Sequence, residues 1–405
     1  MKSNTSFVCG TSDQPLIYRT IGDALDHAVE QWGDKEAIVV RHQGIRWTYR
    51  QLAASIDSFA AGLLALDLQK GDRVGIWSPN NIEWVIAQFA TARAGLILVN
   101  INPAYRKAEV IYTLNKVDCK ALILAREFKS SHYVNTMLDI APAIRTSEAG
   151  KLNLSALPSL RSLIVISDEP TAGMFRFDDI AAMAPLDAAE KLESLTRENQ
   201  PDDAINIQFT SGTTGLPKGA TLTHFNVLNN GFFSGEAMGF TDQDRLCIPV
   251  PLYHCFGMVL GVLASVTHGA AMIFPSEAFE PLAVLEAVSE ERCTALHGVP
   301  TMFIAELEHA DFESFDYSHL RTGIMAGAPC PIEVMRKVIS KMNMKEVTIA
   351  YGMTETSPVS FQSATDDPLE KRVATVGRIH PHVQVKIIDE HGRVVPRGTS
   401  GELCT

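Results

Sequence analysis

Apolar and polar positions along this chain follow two rhythms that repeatedly replace one another. Residues 22–32 put Leu25, Ala28, Val29 and Trp32 on one helical face. Thr48-Tyr-Arg-Gln51 reads as a capping box opening a longer helix, striped by Leu52, Ile56, Phe59, Ala60, Leu63 and Leu64. A strand is expected over 72–77, with a turn at Ser78-Pro79-Asn80. Helix 81–94, strand 96–101 closed by Asn102-Pro103, helix 106–116 and strand 121–124 follow. Strands alternating with helices of this length predict βαβ units and a mainly parallel sheet.

The rhythm fades over 130–158, which predicts a long surface excursion before a strand at 160–166. Residues 170–202 carry a helical pattern ending in the charged run 197–203. Then comes a strand at 204–209, a loop, an extended piece at 220–223 and a helix from about His224. Strands at 246–249, 270–274, 295–298, 320–326 and 347–350 alternate with helices at 256–266, 281–291, 301–309 and 332–342, a second doubly wound block. From Lys371 the texture turns antiparallel. Val383, Val385 and Ile387 alternate with polar residues, Asp389-Glu-His-Gly392 makes a hairpin turn, and Gly401-Glu-Leu-Cys404 begins another strand. The expected architecture is α/β: a first subdomain over 15–203, a second over 204–370, and the start of a small antiparallel β-barrel over 371–405.

Composition narrows the function without naming it. Apolar residues at 46% and charged residues at 20% suit a globular enzyme with a substantial core. A net charge of −12 argues against a nucleic-acid surface and leaves any polyphosphate to be neutralised locally. The seven cysteines (9, 119, 247, 255, 293, 330, 404) form no C-x-x-C pair, so a reducing cytoplasm is expected. Residues 1–14 lack a secretory pattern, and no apolar run is long enough for a transmembrane segment.

The candidate chemistry centres on 206–219, Asn-Ile-Gln-Phe-Thr-Ser-Gly-Thr-Thr-Gly-Leu-Pro-Lys-Gly. Glycines let backbone N–H groups approach an oxyanion, hydroxyls add donors, and a lysine supplies a mobile positive charge. It is not the usual P-loop, because Lys218 sits between Pro217 and Gly219 and an extended segment follows. From composition alone a solvent-exposed turn competes evenly with a phosphate site.

The residue order of 209–219 resembles the signature loop of the adenylate-forming superfamily, which holds acyl-CoA synthetases, peptide-synthetase adenylation domains and beetle luciferases. The resemblance implies that Thr210, Ser211, Gly212, Thr213, Thr214, Gly215 and Lys218 clamp ATP phosphates while a carboxylate attacks the α-phosphorus. It also implies that Gly327-Ala328-Pro329 contacts adenine. In Tyr351-Gly352-Met353-Thr354-Glu355, a second motif of the superfamily, Tyr351 would stack on adenine, Thr354 touch the α-phosphate and Glu355 hold Mg2+. His254, in Pro251-Leu-Tyr-His-Cys-Phe-Gly257, matches a histidine that borders the carboxylate in acyl- and aryl-CoA ligases. Cys255 beside it has no base placed for it and is expected to be structural.

No carboxylate stands near His254 to pair with an amino group. Phe256, Met258, Val259, Val299, Met302 and Met325 instead suggest an apolar acyl pocket. The reading that follows is a fatty acyl-CoA synthetase, resembling the medium-chain group, with a medium- or long-chain fatty acid, ATP and CoA as ligands, AMP as product and a homodimer as one possible assembly. An aryl- or amino-acid-activating relative and a non-catalytic nucleotide- or lipid-binding fragment stand as alternatives. Superfamily members continue into a ribose-binding aspartate, a hinge and a mobile C-terminal domain bearing a lysine, none of which is found by Thr405. Poor adenylation and no thioester formation are therefore expected of these 405 residues alone.

Overall fold

The computed structural model describes residues 4–210 and 216–405. Among them the strands form three sheets. The first has seven strands, mostly parallel, and is built around Arg73–Trp77, Ile97–Asn100, Cys119–Ala125, Ser162–Ile166 and Ala204–Thr210. Cys119–Ala125 and Ser162–Ile166 are apolar almost throughout, as strands covered on both faces must be. The second sheet has nine strands, with Arg245–Cys247, Ala271–Phe274, Ala295–Leu296, Thr322–Ala326 and Glu346–Gly352 in parallel.

Helix starts follow local chemistry. Thr20 with Asp23, and Thr48 with Gln51, close reciprocal capping boxes that begin Ile21–Trp32 and Tyr49–Leu63. Helix Ile82–Arg93 is apolar on nearly every side and is buried almost completely, capped by the Asn81 side chain. The run from Phe256 is helical as expected, but its first part, Phe256–Leu263, has π pitch before the α-helix Ala264–His268. Gly257 permits that start, since a Cβ there would lie 2.4 Å from the Pro251 carbonyl oxygen.

Three features depart from the expectations. Residues 130–158 are not a surface excursion. Helix Tyr133–Ile140 buries Tyr133, Val134 and Met137, and Ile144, Leu152, Leu154 and Leu157 join the same core. These anchors are spaced too irregularly to show a period. Sheet membership also ignores position 203. The hairpin Glu36–Val40/Ile45–Thr48 completes the second sheet by pairing with Ala271–Phe274, while Ala204–Thr210 and Lys218–Thr223 complete the first. Finally, Gln384–Ile388 pairs with Glu402–Cys404 and, on its other side, with Phe7–Cys9 from the opposite end of the chain. Among the described residues no helix is long and apolar enough to cross a membrane.

Candidate active site

Open α/β sheets bind ligands beyond the carboxyl ends of their strands. Here the two parallel sheets aim those ends at a shared cleft of about 860 Å³. The first sheet contributes Phe209 and Thr210 from one strand end and Asn102 from beyond another. The second contributes Ala326 and Gly327, Ala350 to Glu355, and the segment Tyr253 to Phe256.

Ser211, Gly212, Thr213, Thr214 and Gly215 lie outside the described residues. Both flanks of that loop are placed. Thr210 and Lys218 face each other as the last pair of the antiparallel ladder Ala204–Thr210/Lys218–Thr223. The Tyr112 hydroxyl donates to the Pro217 carbonyl at 3.1 Å. Lys218 is exposed. Across the cleft, the Thr210 hydroxyl donates to Glu355 Oε1 at 3.0 Å, joining residues 145 positions apart. Glu355 is exposed and Thr354 buried, within a short turn closing the strand that carries Tyr351 and Gly352.

Gly327, Ala350, Tyr351 and Gly352 line this cleft and also a second cavity of about 510 Å³, walled further by Ala328, Pro329 and Cys330 and by residues 373–376. Gly327 needs its φ of +88° to turn the chain out of its strand, a conformation that favours glycine. Tyr351 is 46% exposed and is held edge-on by Phe361 at 6.2 Å, so one ring face is free to stack. Met353 is exposed beside it.

His254 stands at the cleft with its ring fixed by its own loop. Nδ1 accepts the Phe256 N–H at 3.0 Å, which assigns the proton of the neutral ring to Nε2. Solvent reaches the ring edge through the cleft, yet enclosing protein desolvates a charge there and lowers its pKa. Burial pushes the Cys255 thiol up to about 12. Its sulfur has only long contacts, 3.6 Å to His254 Nδ1 and 3.8 Å to the Thr354 hydroxyl. Thiolate chemistry at neutral pH is thus disfavoured, in line with a structural role. Cys255→Ala is expected to leave acid-dependent turnover within about threefold of the parent, a modest core truncation; a loss above a hundredfold in a pyrophosphate-release assay would contradict it.

The apolar pocket residues divide. Phe256 lines the cleft, whereas Val299 and Met302 are half-buried against the core and do not line it. Val299 lies against Gly327, where an added Cβ would meet its side chain at 3.2 Å. Met258, Val259 and Met325 do not line the cleft but are sealed in the core. The Met258 sulfur sits 3.3 Å from the Asn100 amide and 3.2 Å from that of Gln208, held inward by those donors. Sequence periodicity cannot separate a pocket wall from the layer behind it. Leu260, Tyr253, Tyr105 and Asn102 do line the cleft, and position alone gave no reason to choose them. Asparagines at strand carboxyl ends were the available signal, and they read equally well as turn formers.

A family model described as AMP-binding enzyme matches residues 25–405. YngI of Bacillus subtilis (strain 168), which carries the name of an acyl-CoA synthetase, is 46% identical over 391 residues, covering 96% of this chain and 71% of that protein. The mitochondrial medium-chain acyl-CoA ligase ACSF2 of Danio rerio is 44% identical over 402 residues, covering 98% of this chain and 66% of that one. The chain thus spans about two thirds of the length of the curated relatives it matches. Among solved structures, that of ATP-bound MatB from Rhodopseudomonas palustris resembles this fold with a TM-score of 0.75 at 27% identity, over 94% of this chain and 69% of that one.

Proposed function

The chain belongs to the AMP-binding enzyme family, and from that premise we propose that it carries the nucleotide and acid sites of an AMP-forming fatty acyl-CoA ligase. A carboxylate oxygen of the acid attacks the α-phosphorus of ATP and pyrophosphate leaves; the acyl group of the acyl-AMP is then passed to the sulfur of CoA, with AMP as leaving group and the thiol proton released. The 210–218 stretch holds the phosphate tail, Lys218 neutralising part of its charge. Adenine lies between Gly327-Ala328-Pro329 and Tyr351, and the acyl chain passes Phe256.

Glu355 and the Thr210 hydroxyl are hard oxygen donors. Among the described residues no cluster of three or more His, Cys, Asp or Glu side chains is present. A divalent ion at Glu355 would therefore take its other ligands from phosphate and water, the habit of Mg2+. When bound, that ion offsets charge on the departing pyrophosphate. His254 offers Nε2–H to the incoming carboxylate. Desolvation by the surrounding protein lowers its pKa, which favours the neutral ring.

The observation supporting this reading best is the Thr210–Glu355 hydrogen bond, which joins the two sequence motifs across one cleft that His254 also lines. The test is acid-dependent pyrophosphate release across a panel of acids. Octanoate is expected to exceed benzoate at least tenfold, since each further methylene enclosed by an apolar pocket is worth roughly 1–3 kcal/mol. His254→Ala is expected to raise KM for the acid about tenfold while sparing KM for ATP. A preference for benzoate would defeat the aliphatic assignment, and no acid-dependent release at all would defeat the enzyme reading.

A further inference from the structure

We propose that buried amide side chains of the first sheet and of the loop and helix that follow its strand Arg73–Trp77, with Asn100 as the central one, position His254 for the acid; the inference rests on the reading of His254 given above. The segment 250–258 leaves the second sheet, crosses to the cleft and enters the π-helix Phe256–Leu263. Its outward-turned backbone groups lack a ladder of their own. Three amides from the other sheet's side meet them. Asn80 donates to the Val250 carbonyl at 3.0 Å and accepts the Leu252 N–H at 2.8 Å. Asn100 donates to the Tyr253 carbonyl at 2.9 Å. Gln88 donates to the Met258 carbonyl at 3.3 Å.

The middle bond is the informative one. The Tyr253 carbonyl and the His254 N–H belong to one rigid peptide plane. Fixing that plane places the His254 Cα, and the His254 carbonyl, which accepts the Gly257 N–H at 3.0 Å and the Met258 N–H at 3.1 Å, fixes the plane on its other side; together they set the direction in which the His254 side chain leaves the backbone. The Asn100 amide is itself oriented. Its Oδ1 accepts from Asn206 Nδ2 at 2.8 Å, and Asn206 Oδ1 accepts from Gln208 Nε2 at 2.9 Å. That order of donors leaves only the Asn100 NH₂ facing Tyr253, so the relay sets which way the amide points.

All five amides are buried, each no more than 3% exposed. Apolar side chains would pack such a wall at lower desolvation cost, and Gln88 Oε1 has no partner at all. A wall of amides is understandable if its task is to hold particular carbonyls in place. His254 then needs little adjustment when the carboxylate arrives, which is preorganisation of a binding group by its supporting residues. Asn100 touches no reacting atom in this account and is a positioning residue.

The experiment uses the full chain and two probes: the non-hydrolysable octanoyl-AMP mimic 5′-O-(N-octanoylsulfamoyl)adenosine, and AMP. Binding is measured by calorimetry for the parent, Asn100→Ala, Asn100→Asp, His254→Ala and Asn199→Ala. Asn100→Asp keeps the shape but withdraws the N–H. Asn199 is the matched control, a buried amide bonded to the Ala92 and Arg93 carbonyls on the other end of helix Ile82–Arg93. Both Asn100 variants are expected to weaken the mimic about tenfold, leave AMP within about twofold, and shift the His254 ring ¹⁵N signals. Asn199→Ala is expected to lower thermal stability without moving those signals. If Asn100 variants weaken mimic and AMP together, or leave the ring signals and mimic affinity unchanged, positioning is overturned. If His254→Ala leaves mimic affinity unchanged, the reading of His254 itself falls, and with it the reason for a clamp.

Discussion

Glu355→Gln is expected to lower acid-dependent ATP–pyrophosphate exchange by about 10²–10³, the loss typical when one group that stabilises transition-state charge is removed. The glutamine preserves size, and its carbonyl oxygen still accepts the Thr210 hydroxyl that now bonds Glu355 Oε1 at 3.0 Å. What disappears is the negative charge, and with it the hard ligand proposed for the metal. Exposure makes the change benign for folding, so melting temperature is expected to hold. Exchange measured over a Mg2+ titration distinguishes the cause. A weakened ion site raises the Mg2+ concentration needed for half-maximal rate. A loss below tenfold at every Mg2+ concentration would remove Glu355 from the chemistry.

The stability contributed at one buried position, Glu306, should fall as pH rises from about 5 to 8, so the stability gap between Glu306→Leu and the parent should widen over that range. Glu306 lies on helix Pro300–Leu307, is fully buried, and neither carboxylate oxygen has a hydrogen-bond partner. Burial raises its pKa to about 8. The folded state therefore keeps the proton in a range where the unfolded chain releases it near an ordinary carboxylate value. Below that ordinary value both states are protonated and the group costs little. Between the two values each pH unit removes about 1.4 kcal/mol, and above about 8 the loss levels off. Cys247 and Tyr317 lie in the same electrostatic neighbourhood and are neutral or anionic in any protonation state, so neither supplies a compensating positive charge. Melting curves at pH 5, 6.5 and 8 provide the check. Leucine should raise the melting temperature most at pH 8, and an equal gain at all three values would mean that packing, not ionisation, is responsible.

The candidate site was legible where chemistry concentrates in one stretch. A run of hydroxyls, glycines and a lysine between two strands, and a Tyr-Gly-x-Thr-Glu turn after another, announce themselves before any fold is known. The parallel blocks were legible too, because buried strands and amphipathic helices such as Tyr49–Leu63 each carry their own period. What escaped depends on distant partners. Glu36–Val40 is five residues of strand whose seat is Ala271–Phe274, and nothing nearby in the chain says so. Phe7–Cys9 reads as a polar start and becomes a strand only against Gln384–Ile388. Asn80 and Asn100 look like ordinary strand-end residues, and their carbonyl partners come from a segment more than 150 positions away. Burial of Met258 and Met325 behind the cleft wall, not in it, follows from layering that one-dimensional apolarity does not encode.

The late seat of the Glu36–Thr48 hairpin also sets a timetable for biosynthesis. Its neighbour in the second sheet emerges from the ribosome roughly 220 residues later, which at about 5–20 residues per second is a wait on the order of ten to forty-five seconds. Throughout that interval a nascent chain exposes an apolar strand edge with no native mate, the kind of surface that chaperones shield and that aggregates recruit. Slow decoding between these two stretches would lengthen the exposure, making yield in a heterologous host sensitive to codon choice anywhere across residues 49–270.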